Sequence, residues 1–414
     1  MLAAALILLI LFCLSAILQW KWARSFERAF SPPSQSLTDA ELPRVLVLLS
    51  LRGADPFLRN CILSLLRQDY PDYDVRIIVD NISDPAWKVA EDAIQEAGAQ
   101  HATIHELQQP LGTCGLRINA LLQQTEDLDP ACEVVAWLDA DTIPYPDWLQ
   151  DMVRPFADQS VGATTGIRWY VPSYRNLGTL IRSAWNAAGA VQMAAFGMAF
   201  GGSLAYRAEL MRDQRLRERW SKALWEDIGT RQTVEALGYQ LAFVGSATLA
   251  TRERISLKAC IRFMSRQMLN VRLYHRTWPL IVAHSVLTAF GPLAVCFLCI
   301  AGIVSQQPMV VWLAVVGLTT QLAASLFSVL KSGFRARACV TDRGEEPWTA
   351  PWGMFPAVLL TPIVYSISVA VAMFAKQVTW RGITYRVRGP FEIEMDEYRP
   401  YQQREVARAT AESL

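Results

Sequence analysis

Histidine is scarce, four in 414 residues, and no charge of either sign prevails: 39 Lys and Arg against 38 Asp and Glu leave a formal net charge of +1. That balance excludes a nucleic-acid partner held by an overall basic field. His101 and His105 stand at helical spacing, but no third ligand is near them, so a surface or packing role suits them better than a metal. The eight cysteines, at 13, 61, 114, 132, 260, 296, 299 and 339, do not form the paired pairs of a zinc site. Cys296 and Cys299 make a Cys-x-x-Cys, but it is embedded in continuous apolar sequence, where packing or lipid contact outweighs redox chemistry. This usage implies reduced thiols and a cytosol-facing globular part.

Apolar sequence is what the chain has in excess. Hydrophobic residues are 52% of the total, above the usual range for soluble enzymes, and they concentrate in a few long runs. Leu2 to Leu18 is almost wholly apolar and just long enough to span a bilayer. No basic segment precedes it and no small-residue cleavage site comes after it, so it reads as a retained anchor (residues 1–20). Lys21, Arg24 and Arg28 place the next segment in the cytoplasm. A Ser/Pro linker, Ser31 to Leu42, leads to the first globular segment. Near the other end, Pro279 to Val304 and Met309 to Leu330 are each long enough to cross, and Trp352 to Phe374 is a third apolar stretch interrupted by Pro356 and Pro362. Three full crossings would leave the tail outside, yet Lys376, Arg381, Arg386 and Arg388 favour the inside. A re-entrant or incomplete third segment reconciles the two.

Between these regions, from Pro43 to about Leu249, strand and helix patterns alternate. Val45–Leu49, Val75–Val79 and a weak strand near Ala102–His105 flank helical periodicity over 56–67 and 86–97. Gly112 to Gln124 then leads to Val134–Leu138. This βαβ series predicts an α/β, Rossmann-like sheet, in which ligands bind beyond the carboxyl ends of the strands. The polar residues directly after each strand therefore carry the most information. Asp139 and Asp141 come after Val134–Leu138, and strand alternation would put them on one side. Two adjacent carboxylates suit a Mg²⁺ or Mn²⁺ ion that in turn holds a diphosphate; the bland alternative is an acidic turn. Asp80, after Val75–Val79, can accept hydrogen bonds from a ribose or a uracil imide, or make an Asx turn.

Three further stretches complete the candidates. Gly112–Asn119 offers two glycines and Arg117 ahead of a helix, a pattern that suits phosphate. Gly201–Gly202–Ser203 ends a soft apolar run from Met193 and permits close approach to a ligand. Trp225–Glu226–Asp227 opens a helix through Thr230 to Leu237, where a carboxylate near the positive helix end could take a proton from an attacking hydroxyl. Residues 257–278 mix Lys258, Arg262, Arg266 and Arg272 with Ile261, Phe263 and Met264, as an amphipathic helix in the membrane interface would.

Taken together, these residues resemble the large family of membrane-bound, GT-A-fold inverting glycosyltransferases that includes ceramide glucosyltransferases and processive polysaccharide synthases. The resemblance covers nearly all of Pro43 to Arg388. It rests on Asp80, on Asp139 with Asp141, and on Asp227 after Glu226. Leu51–Pro56, Asp69–Tyr70–Pro71, Arg117–Ile118–Asn119 and Trp380–Arg386 are similar to the ceramide glucosyltransferase branch in particular. It implies a GT-A catalytic domain (43–256), a membrane region (279–375) and a cytosolic tail (376–414). It further implies transfer of one hexose from a nucleotide sugar such as UDP-glucose to a membrane-lipid hydroxyl. In that scheme Asp227 is the general base and Asp141, with Asp139, holds a divalent metal. Asp80, Arg117, Asp139, Glu226 and Arg266 contact the nucleotide sugar. The family's Arg-Trp pair is replaced here by Leu269–Asn270, which counts against chain elongation; a polysaccharide synthase and an inactive scaffold are the competing readings.

Overall fold

The computed structural model describes residues 1–31, 37–348 and 354–401. Parts of the expected linker and third apolar stretch, and the tail beyond 401, lie outside the described residues.

The chain opens with helix α1 (Leu2–Arg28) and enters an α/β domain through β1 (Val45–Leu51), α2 (Leu58–Leu65), β2 (Tyr73–Val79), α3 (Pro85–Ala97) and β3 (Ala102–Glu106). It continues through α4 (Leu116–Gln124), β4 (Val134–Leu138), α5 (Trp148–Val153), β5 (Val161–Tyr170), α6 (Leu177–Phe196) and β6 (Ser203–Arg207). The short helices α7 (Ala208–Arg212), α8 (Gln214–Trp220) and α9 (Thr230–Ala236) precede the last long strand, β7 (Gln240–Thr251). One seven-stranded sheet results, in the order β3-β2-β1-β4-β6-β5-β7. β3, β2, β1 and β4 run parallel, whereas β6 is antiparallel to both its neighbours.

The apolar strands form because both sheet faces are covered. Alternate residues of β1 and β4 point into different cores: Leu48 and Trp137 join one, Val47 and Ala136 the other. Trp137 stacks on Tyr206 from β6 with ring centroids 5.3 Å apart. Helix α3 starts where the sequence directs it, since Asp84 accepts the Ala86 N–H at 2.8 Å and Pro85 occupies the first turn. His101 and His105, despite their helical spacing, lie at strand β3: His101 packs against Tyr73, and His105 hydrogen-bonds Thr103. All eight cysteines are free thiols.

The second half is largely helical: α10 (Leu257–Tyr274), α11 (Trp278–Val304), α12 (Pro308–Asp342) and α13 (Met354–Phe374). A three-stranded antiparallel sheet of β8 (Gln377–Trp380), β9 (Ile383–Gly389) and β10 (Glu392–Met395) comes next. Four helices, α1, α11, α12 and α13, are long and apolar enough to cross a membrane. Helices α1 and α12 run side by side in the same direction, joined by Ser325 Oγ to Gln19 at 3.1 Å and by a Lys331–Glu27 ion pair at 2.9 Å. The far ends of both reach the α/β domain. Gly245 N–H donates to Ala29 O at 2.7 Å, and Arg343 donates to the carbonyls of Ser246 and Thr248.

Helix α13 has both flanks on that same domain. Before it, Trp348 stacks on Trp169 of β5. At its end, Arg272 of α10 donates to the carbonyls of Ala372, Met373 and Ala375, and the tail sheet returns to the domain where Met395 N–H donates to Gly112 O at 2.7 Å.

The tie between α5 and β6 offers a test of the domain core. Trp148 is fully buried and its Nε1–H donates to Ser203 Oγ at 2.9 Å. Trp148→Ala is expected to destabilise the domain by about 3–5 kcal/mol, read as a lowered melting temperature of the detergent-solubilised protein, with Trp148→Phe losing less.

Candidate functional site

Beyond the carboxyl end of β4 the chain turns. Asp139 and Asp141 both lie after the strand, so it is a turn and not strand alternation that brings them together; Thr142 Oγ1 donates back to Asp139 O at 2.6 Å and helps close it. Arg168 on β5 spans the pair, with Nη2 2.6 Å from Asp141 and Nη1 3.3 Å from Asp139. Burial pushes the Asp141 carboxyl up, but Arg168 and the charge of Arg381 outweigh it and hold it below the usual range.

Arg117, in the first turn of α4, is the second cation. Its Nη1 pairs with Asp139, its Nη2 donates to Gly201 O, and its Nε lies 3.1 Å from Glu226. Arg117, expected to face phosphate, thus braces carboxylates in this structure. Two backbone donors at this helix start are likewise taken, Gly115 N–H by Ala223 O and Leu116 N–H by the Tyr385 hydroxyl. Gly115 is there for backbone approach, because a Cβ would lie 2.2 Å from Leu224 O. Glu226, expected to contact nucleotide sugar, is buried against Arg117, and burial raises its pKa.

Asp227 and Glu226 precede α9 rather than occupying its first turn, since that helix begins at Thr230. Asp227 therefore owes its setting to individual donors and not to a helix end. Its Oδ1 accepts the Ile228 N–H and the Asn270 Nδ2–H, each at 2.7 Å, and its Oδ2 accepts the Gly201 N–H at 3.3 Å. Burial raises its pKa, and these hydrogen bonds oppose the rise. Gly201 and Gly202 link the two acidic groups: a Cβ on Gly201 would lie 3.0 Å from Asp227 Cβ, and one on Gly202 2.3 Å from Asp139 Oδ2.

Asp80 stands two strands over from β4, at the end of β2, with β1 between them. The Asx turn expected as its rival is made by Asn81, whose Oδ1 accepts from Ser83, leaving the Asp80 side chain to other work. That work is internal: Arg52 pairs with its Oδ2, which also accepts the Tyr401 N–H at 3.2 Å, and Tyr398 donates to its carbonyl. Asp80 is only 4% exposed, so the strap at 398–401 covers the residue expected to meet the nucleoside. The tail is further tied by Arg381, paired with Asp55 and donating to Arg52 O at 2.9 Å. Arg266, on α10, lies over the Phe263 ring and has no hydrogen bond or ion pair among the described residues. Burial lowers its pKa, and Asp141 and Asp139 act in the opposite direction.

The structure thus gathers Asp139, Asp141, Arg117, Glu226 and Asp227 into one network and sets Asp80 beside it under the tail. Three residues escaped the sequence reading. Arg168 was signalled by a lone charge in the apolar run of β5, and Arg52 by its place directly after β1. Asn270 stood out only as a departure from the family's Arg-Trp pair, with no signal of its partner. For a metal, Asp139 and Asp141 supply two carboxylates, which fits Mg²⁺ or Mn²⁺ completed by phosphate oxygens and water. Among the described residues, no three His, Cys, Asp or Glu side chains gather to hold an ion unaided.

A model of the family described as glycosyl transferase family 21 matches residues 8–391. Over 102 residues the chain is 36% identical to a ceramide glucosyltransferase of Pyricularia oryzae, covering 24% of this chain and 21% of that protein. Over 74 residues it is 30% identical to a ceramide glucosyltransferase of Gibberella zeae, covering 17% and 14%. These matches span about a fifth or less of the relatives' length. Among solved structures, a mannosyltransferase of Pyrobaculum calidifontis in complex with GDP-Man and Mn²⁺ aligns with a TM-score of 0.52 at 17% identity, over 89% of this chain and 98% of that one. The similarity is one of fold.

The crowding at Gly202 makes the network testable. Gly202→Ala should displace Asp139 and destabilise the protein by about 1–3 kcal/mol, read as a lowered melting temperature of the detergent-solubilised protein. Gly112→Ala, where a Cβ meets nothing within 4 Å, should leave the melting temperature unchanged.

Proposed function

Because the chain belongs to glycosyl transferase family 21, we propose that it transfers a single hexose from a nucleotide sugar, a UDP-hexose such as UDP-glucose, to the hydroxyl of a ceramide-like membrane lipid, with inversion. The observation that carries this reading is the convergence of Asp227 with Asp139 and Asp141. Arg117 reaches from Asp139 to Glu226, and Gly201 and Gly202 join the two acidic groups along one backbone.

Asp227 takes the proton of the acceptor hydroxyl on Oδ2, which makes only one long hydrogen bond among the described residues. The acceptor oxygen attacks the anomeric carbon as the bond to the diphosphate breaks on the opposite face. Asp139 and Asp141 would hold a divalent cation, which as a Lewis acid neutralises charge developing on the leaving diphosphate. Arg168 then exchanges carboxylate for phosphate as its partner, and Arg266, a cation with no ion-pair partner among the described residues, faces the same charge. Asp80 receives the nucleoside once the 398–401 strap gives way.

The membrane segments fit a water-soluble donor meeting a lipid acceptor. Helix α10, whose Asn270 reaches Asp227, packs along α13 through Ser368 and Arg272. With both of its flanks on the catalytic domain, α13 lies in the membrane without crossing it. The tail then shares the cytosolic side with the catalytic domain, in accord with Lys376, Arg381, Arg386 and Arg388.

Membranes containing the protein, incubated with labelled UDP-glucose, UDP-galactose or GDP-mannose and then extracted, should yield a lipid bearing one sugar. Label in a polymer, or in no lipid, overturns the reading. Asp227→Asn should lower transfer by about 10²-fold or more while UDP binding stays measurable. A chelator should abolish transfer, and Mg²⁺ or Mn²⁺ should restore it.

A further inference from the structure

Asn270 belongs to none of the acidic motifs. It sits on α10, 3% exposed, and donates from Nδ2 to Asp227 Oδ1 at 2.7 Å. The two carboxylate oxygens of Asp227 are consequently unequal. Oδ1 receives two short bonds, from Asn270 and from Ile228 N–H, while Oδ2 receives one bond of 3.3 Å from Gly201 N–H. Donors on Oδ1 fix the plane of the carboxylate and hold negative charge there, leaving Oδ2 with the free lone pair. The amide's own Oδ1 is buried and without a partner among the described residues. An unsatisfied buried acceptor is destabilising, so the placement of Asn270 is not explained by its own hydrogen bonding; the carboxylate is what it serves.

The helix that presents Asn270 is itself held at several points. Ser256 caps its start, the Tyr274 hydroxyl accepts the Leu224 N–H at 2.8 Å, and Arg272 grips the end of α13. The Asp227 loop and the membrane-associated helix α13 are therefore both referenced to one rigid element.

We propose that Asn270 is a positioning residue for proton transfer: from α10 it pins Oδ1 of Asp227 so that Oδ2 meets the acceptor hydroxyl presented at the membrane. The inference rests on the reading of Asp227 as the base. The acceptor's O–H proton passes to Oδ2, the oxygen–carbon bond to the sugar forms, and the electron pair of the broken bond leaves with the diphosphate. Asp227 is faced by Arg117 of α4, Tyr206 of β6 and Tyr274 of α10, with Glu226 beside it. Burial raises its pKa, and the Asn270 bond is the foremost influence lowering it. Loss of that donor leaves Asp227 protonated to higher pH, so the acid limb of kcat moves upward.

The test uses the full-length protein in detergent or nanodiscs with Asn270→Leu and the nearly isosteric Asn270→Asp, beside Asp227→Asn. Both Asn270 variants are expected to lose about tenfold to a hundredfold in kcat, the scale of one hydrogen bond to a charged group. The acid limb should shift to higher pH, with KM for the nucleotide sugar and UDP affinity within about twofold of wild type. Wild-type kcat and acid limb in Asn270→Asp, with Asp227→Asn inactive, overturn the positioning role and leave the base in place. A loss of kcat without movement of the acid limb also overturns it. Turnover by Asp227→Asn removes the base itself. Should Asn270→Leu fail to fold, Asn270→Asp alone decides.

Discussion

Charge compensation around Arg117 is the constraint on which the site depends. Asp139, Asp141, Glu226 and Asp227 come from segments far apart in the chain, and four carboxylates at one rim of a sheet repel one another. Arg117 answers by touching Asp139 and Glu226 at once, and Arg168 by spanning Asp139 and Asp141. Both guanidinium pKa values are raised: burial opposes the charge, but the carboxylates prevail. A buried pair broken from one side leaves an uncompensated charge that costs several kcal/mol, about 3–5 in typical cases. The acidic rim and the two arginines therefore stand as one unit.

That unit is enclosed by elements from three parts of the chain. The sheet supplies the turn after β4, α10 supplies Asn270 and Arg266, and the tail supplies Arg381 and the strap over Asp80. Arg52 is the junction with the tail, since it pairs with Asp80 and donates to the carbonyls of both Arg381 and Arg399. Asp80 is thus coupled to the polypeptide beyond α13.

Much of this was legible in the amino-acid order. The strands at 45–51 and 134–138 are apolar because both faces are buried, as is the end of the strand at 73–79, and such runs stand out without any knowledge of their neighbours. The apolar helices announce themselves by length. Asp80, Asp139, Asp141 and Asp227 stand out because polar residues directly after strands, or in short acidic pairs, are few. The carboxylate partners of Arg117 were not legible: its neighbouring glycines resemble a phosphate cradle, and the residues that meet Gly115, Ala223 and Leu224, arrive from a distant loop.

The sequence by itself determined the α/β alternation, the apolar spans and the set of carboxylates, because each is written in local composition and period. Tertiary structure alone decided which cation faces which anion, that Asn270 holds Asp227, and that the tail folds back over Asp80. Such contacts join residues up to 347 positions apart, and no local pattern of residues encodes a contact made across such a separation.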